Sequence, residues 1–386
     1  MNLPETTFGA LGQIYDGPHA TPSRLGEGPY FLNIASLQSG RLILEDSDHI
    51  SPDDFVAWTR RVKPQADDLL FSYETRLGEA ALMPPDVEAC LGRRMALLRP
   101  NKAIVCPRYL LYLYLSPQFQ TVVARETVQG ATVNRIALSR MGSWPIRLHD
   151  RPTQLAIAEV LGALDDKIAT NAAVSGQIER WTDLQYTRAI SCGSSQFPLL
   201  DAIDIRFGEP FSGSSFTDPG IGRPLIRIRD LNTFTPQVWT TESRVREAVV
   251  ERGDILVGMD AEFRPTPWLG QPGVMNQRVC RASSERLGSA LVWQALKSPM
   301  RAIEGSKSAT TVIHLNKSDL ARSTVRLPTD TGIPEFRASC DGAYEYRLTM
   351  AVESRAIGGL RDTLLPELMA GRLRVRDAEK QVEAVV

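Results

Sequence analysis

Long apolar runs are missing from this 386-residue chain. The longest, Tyr109 to Leu115, has seven residues. A helix needs ~20 to cross a bilayer, so no membrane span is expected. Met1-Asn2-Leu3-Pro4-Glu5-Thr6 offers no basic segment followed by an apolar one, so no secretory leader is expected either. Cysteine is sparse, and Cys90, Cys106, Cys192, Cys280 and Cys340 contain no CxxC pair. That spacing argues against structural zinc and a disulfide framework, and it fits a reducing cytoplasm. His19, His49, His149 and His314 fall in neither HExxH nor HxxxH spacing. The phosphate-cradling GxxxxGK loop, the dinucleotide GxGxxG turn and the nucleophile elbow GxSxG are all absent. Pro85-Asp86-Val87-Glu88 has the carboxylates of a metal nuclease without the nearby lysine. Met83-Pro84-Pro85-Asp86 lacks both ends of an amino-methyltransferase motif. Catalysis by this chain alone is therefore not expected, and no metal site or resident cofactor is expected in it.

Net charge is also missing. Forty-four basic side chains meet forty-five acidic ones, leaving −1. There is no general electrostatic case for nucleic acid, so any such case must rest on local distribution. The basic side chains are thirty-seven arginines and seven lysines. Arginine suits planar bidentate recognition of phosphate or guanine, although a GC-rich genome produces the same bias.

What is present is a long-period repeat. Gly28 to Leu37 resembles Arg223 to Leu231, each an apolar strand-like run beside a proline. Asp67-Asp68-Leu69-Leu70-Phe71 resembles Gly253-Asp254-Ile255-Leu256-Val257, a turn and then a buried strand. Arg93-Arg94 falls opposite Gln277-Arg278, and Leu115-Ser116-Pro117 opposite Lys297-Ser298-Pro299. Thr132-Val133-Asn134-Arg135-Ile136 matches Thr311-Val312-Ile313-His314-Leu315, and Ile146-Arg147-Leu148 matches Val325-Arg326-Leu327. No single match is strong; their common order carries the argument. The offset drifts from 195 to 179 residues, so the copies differ by loop insertions and deletions.

A long helical pattern follows each copy. The first begins at Pro152 and runs through Ile157, Leu161, Leu164, Ile168, Ile178 and Trp181, in steps that make one apolar stripe. Asn171 lies on that seam, where a polar residue can fix register. The second runs from Tyr344 through Leu348, Val352, Leu360 and Leu364 to Pro366, weakened by Gly358-Gly359. The expected fold is α+β: two tandem domains related by internal duplication, separated and joined by two long antiparallel helices.

The helical segments carry a family resemblance. Ile157-Ala158-Glu159-Val160-Leu161-Gly162-Ala163-Leu164-Asp165-Asp166-Lys167-Ile168 resembles the first spacer helix of the specificity subunits of type I restriction–modification enzymes. Leu360 to Pro366, followed by Gly371-Arg372-Leu373-Arg374-Val375, resembles their C-terminal signature. Asp16 to Pro22 and Gly253 to Leu256 resemble pieces of their target-recognition domains. The resemblance implies a first target-recognition domain over 1–150, a central spacer helix over 151–190, a second recognition domain over 191–333, and a C-terminal spacer helix and tail over 334–386. It implies a non-catalytic cytoplasmic subunit that reads a bipartite, asymmetric site on double-stranded DNA. The implied partners are two methyltransferase subunits carrying S-adenosylmethionine. Two restriction (helicase-nuclease) subunits using ATP with Mg would join in a complex that also cleaves.

Residue chemistry and position in the repeat supply candidate DNA contacts, since Arg and Lys suit guanine, Asn and Gln suit adenine, and hydroxyls suit phosphate. They are Tyr73, Arg76, Arg94, Thr132, Asn134 and Arg135 in the first copy, and Arg264, Gln277, Arg278, Lys307, Ser308 and Thr310 in the second. Ile157, Leu161, Leu164, Ile168, Leu348, Val352, Leu360 and Leu364 are the candidate partner-binding positions. Two other readings stay open. One is a duplicated protein-interaction scaffold with no sequence-specific DNA reading. The other is a hydrolase built on His19 or His149, which a clustered His–carboxylate pair in a pocket would favour.

Overall fold

The computed structural model describes residues 3–18, 20–129, 133–307 and 313–384. Two compact units divide the chain. Unit 1 comprises 1–168 and 356–386, and unit 2 comprises 169–355.

Unit 1 is built on a four-stranded sheet of Gly12–Asp16 (β1), Leu69–Ser72 (β2), Ala80–Leu82 (β3) and Met95–Pro100 (β4). Its spatial order is β1-β4-β2-β3. All neighbours are antiparallel, with Leu97 opposite both Tyr15 and Leu70. The alternation of side chains along a strand explains the apolar run of β2. Leu69 and Phe71 enter one core with helix α1, Pro107–Leu115. Leu70 enters another with Leu32, Leu91 and Leu97 on the opposite face. Full burial of each such side chain stabilises by ~1.5–3 kcal/mol.

Unit 2 repeats the design. Asp204–Phe207 (β5), Ile255–Gly258 (β6), Pro265–Pro267 (β7) and Val279–Ser283 (β8) lie in the order β5-β8-β6-β7, again antiparallel. Ile255 and Val257 enter one core with helix α2, Gly288–Ser306, while Leu256 enters another with Trp268 and Met275. The flanking pairs repeat as well. Leu25–Leu32 runs parallel to Ala89–Leu91, as Arg223–Ile226 runs parallel to Gly273–Met275. Glu5–Thr7 pairs with Pro145–Arg147, as Ser194–Pro198 pairs with Thr324–Pro328. The duplication read from the sequence is thus a duplication of topology.

Both long helices exceed the apolar patterns that announced them. The central helix spans Arg151–Cys192, 42 residues. Asp150 Oδ1 accepts the Thr153 amide at 3.0 Å and starts it, and Gly193 at φ 151° ends it. The C-terminal long helix spans Gly332–Met369, 38 residues, and passes without a break through Gly358-Gly359. A Cβ at 358 would meet Ile168 at an ordinary contact distance of 4.0 Å and one at 359 would meet nothing within 4 Å, so packing does not require either glycine. Each unit takes part of both helices. In unit 1, Arg361 NH1 donates to Asp165 Oδ1 at 2.7 Å, and Tyr112 Oη donates to Asp165 Oδ2 at 2.7 Å. In unit 2, Asn171 Nδ2 donates to Glu353 Oε2 at 2.7 Å and to Ser354 Oγ at 3.1 Å.

The apolar stripe is consumed by these packings, which corrects its assignment as a partner surface. Ile157, Leu161, Leu164 and Leu364 are essentially fully buried in the core of unit 1, with Ile168 and Leu360 half-buried against it. Leu348 is buried in the core of unit 2, and Val352 is half-buried. The helices expose Leu155, Trp181, Leu184 and Tyr346 instead. Among the described residues, no helix is long and apolar enough to cross a membrane.

Candidate nucleic-acid interface

One turn recurs at the same place in both copies, where the central strand leaves the sheet. In unit 1 it begins at Tyr73, just after β2. The Tyr73 amide donates to Arg94 O at 3.1 Å, and Tyr73 O accepts the Ile136 amide at 2.8 Å. In unit 2 it begins at Met259, just after β6. The Met259 amide donates to Arg278 O at 3.0 Å, and Met259 O accepts the Leu315 amide at 2.8 Å. An acid follows in each, Glu74 or Asp260. The acid forms an isolated antiparallel bridge with Arg135 or His314 respectively. The next residue is left-handed in each, Thr75 at φ 67° and Ala261 at φ 65°. That region costs a residue bearing a Cβ roughly 1–2 kcal/mol. Its amide reaches a carbonyl of the same loop in each unit, Asn134 O at 3.3 Å and Ile313 O at 3.1 Å.

This frame brings an arginine to the acid in both units. Arg94 Nε lies 3.1 Å from Glu74 Oε2, an ion pair whose N–H is not aligned as a hydrogen bond. Its NH1 donates weakly to Thr75 Oγ1 at 3.4 Å. Arg94 itself is left-handed, at φ 72°. Arg278 NH1 lies 3.5 Å from Asp260 Oδ1. The same carboxylate oxygen contacts His314 Nδ1 at 2.5 Å. The Arg278 side chain is 51% exposed against 23% for Asp260, while Arg94 is 33% exposed with its Nε buried, against 25% for Glu74.

The other candidates divide. Asn134 and Arg135 are exposed on the loop that closes the first turn, and Gln277 is exposed beside Arg278. These gather with the acid–arginine pairs. Thr132, Ser308 and Thr310 lie outside the described residues. Three candidates are committed elsewhere, and a fourth stands apart. Tyr73 is buried at 5% exposure in the core, and burial pushes its hydroxyl above the ordinary tyrosine range. Its ring cannot reach a ligand, which corrects its place among the contacts. Arg76 NH1 donates to Ile34 O at 3.1 Å and Ala35 O at 3.3 Å, pinning a neighbouring loop. Lys307 Nζ is paired with Asp319 at 2.7 Å. Arg264 is exposed and lines a cavity of about 320 Å³ with Glu179, Asp183 and Lys297, away from the turn.

Sequence reasoning missed Glu74 and Asp260. The signal was available, since both stand three residues beyond the matched Phe71 and Val257. His314–Asp260 is also the His–carboxylate pair that a hydrolase reading would look for. His314 is 51% exposed, on the surface and not in a pocket. His149 is buried and spends its Nε2 on Leu368 O at 3.1 Å. Among the described residues, no cluster of His, Cys, Asp and Glu is placed to hold a metal ion.

No protein-family model matches the chain. Over 132 residues, 33% of this chain, the sequence is 32% identical to the type I restriction enzyme EcoBI specificity subunit of Escherichia coli. That match spans 28% of the relative's own length. The fold superposes on the S subunit of a type I restriction–modification system from M. genitalium with a TM-score of 0.57 and 13% identity, covering 95% of this chain and 96% of that one. The HsdS subunit from Thermoanaerobacter tengcongensis aligns over 96% of this chain and 97% of that one at 17% identity, with a TM-score of 0.38 that is too loose to add to the fold argument. The chain is thus similar to type I specificity subunits, in sequence over a third of its length and in fold over nearly all of it.

Proposed function

We propose that this chain is the DNA sequence-specificity subunit of a type I restriction–modification complex, non-catalytic by itself. Each unit reads one half of a bipartite, asymmetric site on double-stranded DNA. The observation that carries this reading is the duplicated turn. The same acid, arginine and loop frame stands at the end of the same strand in two copies of one sheet. Two copies of one device carrying different side chains suit two half-sites of different sequence. Arg94, Asn134 and Arg135 are the proposed readers in unit 1, and Gln277 and Arg278 in unit 2. The similarity to the EcoBI specificity subunit supports the assignment.

Two methyltransferase subunits, carrying S-adenosylmethionine, dock on this chain and methylate adenine. Restriction subunits using ATP with Mg join in a complex that also cleaves. Partner contact falls to exposed faces of the long helices, where Trp181 is 47%, Leu184 65% and Tyr346 56% exposed. The buried stripe holds the chain's own packing together behind them. The complex works in the cytoplasm, where its DNA is.

The test is co-expression with a methyltransferase subunit of such a system, followed by genome-wide mapping of methylated adenines. A single two-part motif with a fixed gap is the expected result. Assembly of a complex that methylates without sequence preference would favour the scaffold reading instead.

A further inference from the structure

We propose that Glu74 and Asp260 are the positioning carboxylates of the two reading turns, each holding the arginine of its own unit for base edges and against phosphates. The inference rests on the proposed DNA-reading function and adds residues that no candidate contact list contained.

An arginine on a DNA-facing turn has two conflicting uses. A bare guanidinium on a DNA-facing turn is attracted to every phosphate, which adds affinity without sequence information. The same group reads guanine through two hydrogen bonds to O6 and N7, which are neutral acceptors. A carboxylate fixed beside the arginine separates the two uses. It cancels the charge that phosphates attract and repels phosphate itself. It leaves N–H groups that can still donate to neutral acceptors.

The acid lies beside the arginine in both copies, at Nε of Arg94 and at NH1 of Arg278, so in the second copy Nε and NH2 are the N–H groups left for a base edge. Glu74 approaches Arg94 at Nε, which leaves the NH1/NH2 end directed away from the acid except for the weak bond to Thr75. Each acid is itself fixed by the turn, through the backbone bridge to Arg135 or His314 and the left-handed residue that follows. The strained turn recurs although the residue after the acid differs, threonine in one copy and alanine in the other. What the copies share is an acid beside an arginine. They differ in the third group. In unit 2 the carboxylate is divided between Arg278 and His314, and Arg278 is held at 3.5 Å where Arg94 is held at 3.1 Å.

The experiment uses the full chain assembled with its methyltransferase subunits. Binding and methylation are measured on the mapped target, on single-base variants of it, and across a salt series. Glu74→Gln and Asp260→Asn keep the shape of each acid and remove its charge. Each should lower discrimination at one base pair by about tenfold, the lower part of what one bidentate contact supplies. The two variants should affect opposite half-sites. Each should also bind non-target DNA more tightly and steepen the salt dependence by about one phosphate contact. Glu74→Asp retains the charge and should retain discrimination. Arg94→Lys keeps the charge and loses the planar fork, so it should lose discrimination with an unchanged salt slope.

A sequence-specific wild type whose Glu74→Gln and Asp260→Asn variants keep both discrimination and salt slope overturns the clamp and leaves the specificity reading standing. A wild type without sequence preference overturns the specificity reading itself. Thermal melting of each variant is run alongside. If Glu74→Gln does not fold, Asp260→Asn and Arg94→Lys decide the question.

Discussion

Asn171 Nδ2 donates to Glu353 Oε2 at 2.7 Å, joining the two long helices within unit 2. The amide is buried at 5% exposure and also reaches Ser354 Oγ at 3.1 Å. A polar group on an apolar helix seam fixes register at some cost in stability. Truncation to alanine removes a hydrogen bond to a half-buried carboxylate, which costs about 1–3 kcal/mol. Asn171→Ala should lower chemical-denaturation stability by that amount. Asn171→Asp places a second negative charge against Glu353 and should cost more. An Asp variant as stable as the parent would show that this contact does not hold the helix pair.

Arg94 and Arg278 hold matched places in two separate units, so their losses should be separable. Arg94→Ala and Arg278→Ala should each cost about 1–3 kcal/mol on the cognate site and relax one base position. The two positions should lie in opposite halves. Methylation mapping of the two variants is the check. Loss of preference in the same half-site for both would contradict the assignment of one half-site to each unit.

How much of this was legible in the sequence follows from which interactions are local. The repeat was readable because β2 and β6 are buried on both faces, and continuous apolar runs such as Leu69-Leu70-Phe71 and Ile255-Leu256-Val257 report that directly. Asn171 was readable because it interrupts an apolar stripe. The ends of the helices were not, since Asp150 acts through a side-chain cap and Gly193 through its backbone, neither of which shows in the periodicity. Periodicity also could not tell what the stripe packs against, and Ile157 and Leu161 proved to face the chain's own core. Glu74 and Asp260 were passed over because an acid near a DNA surface looks unfavourable by itself. Its meaning depends on Arg94 and Arg278, 20 and 18 residues away along the chain. Tyr73 was misplaced for the converse reason, since alternation along the strand turns its side chain inward.

His149 gives unit 1 a pH dependence of known sign. Burial pushes its pKa below the ordinary histidine value, against hydrogen bonding to the Leu368 and Met369 carbonyls. The unfolded chain takes up a proton near pH ~6.5, while the folded state resists it. The stability that neutral His149 contributes is therefore full above that pH and is lost as pH falls through the lower folded-state value. The melting temperature should drop between pH 7 and 5, and His149→Gln, which can still donate to Leu368 O, should flatten that drop. An unchanged slope in the variant would assign the acid sensitivity to other groups.

The last expectation concerns the gap between half-sites. If the long helices set it, lengthening them should lengthen it. Four residues add ~6 Å along a helix, at ~1.5 Å each. That equals roughly two base pairs at ~3.4 Å per pair. Four residues turn a helix by ~400°, so the unit beyond the insertion keeps nearly its original facing. The DNA turns by about 70° over two base pairs at ~10–10.5 per turn, and bending must absorb the difference. An insertion after Lys167 alone falls between the Asp165–Arg361 and Asn171–Glu353 contacts. It lengthens one helix and not its neighbour, so one of those contacts must break. The single insertion should therefore give an unstable complex, with a loss of at least the 1–3 kcal/mol assigned to a buried charge-assisted contact. A matched pair of insertions, after Lys167 and after Arg355, keeps both contacts in register and should restore assembly. Methylation mapping of the paired variant should then return the same two half-sites with a gap one or two base pairs longer. An active paired variant with an unaltered gap would mean that the helices do not measure the site, and that the spacing is fixed within the units or by the partner subunits.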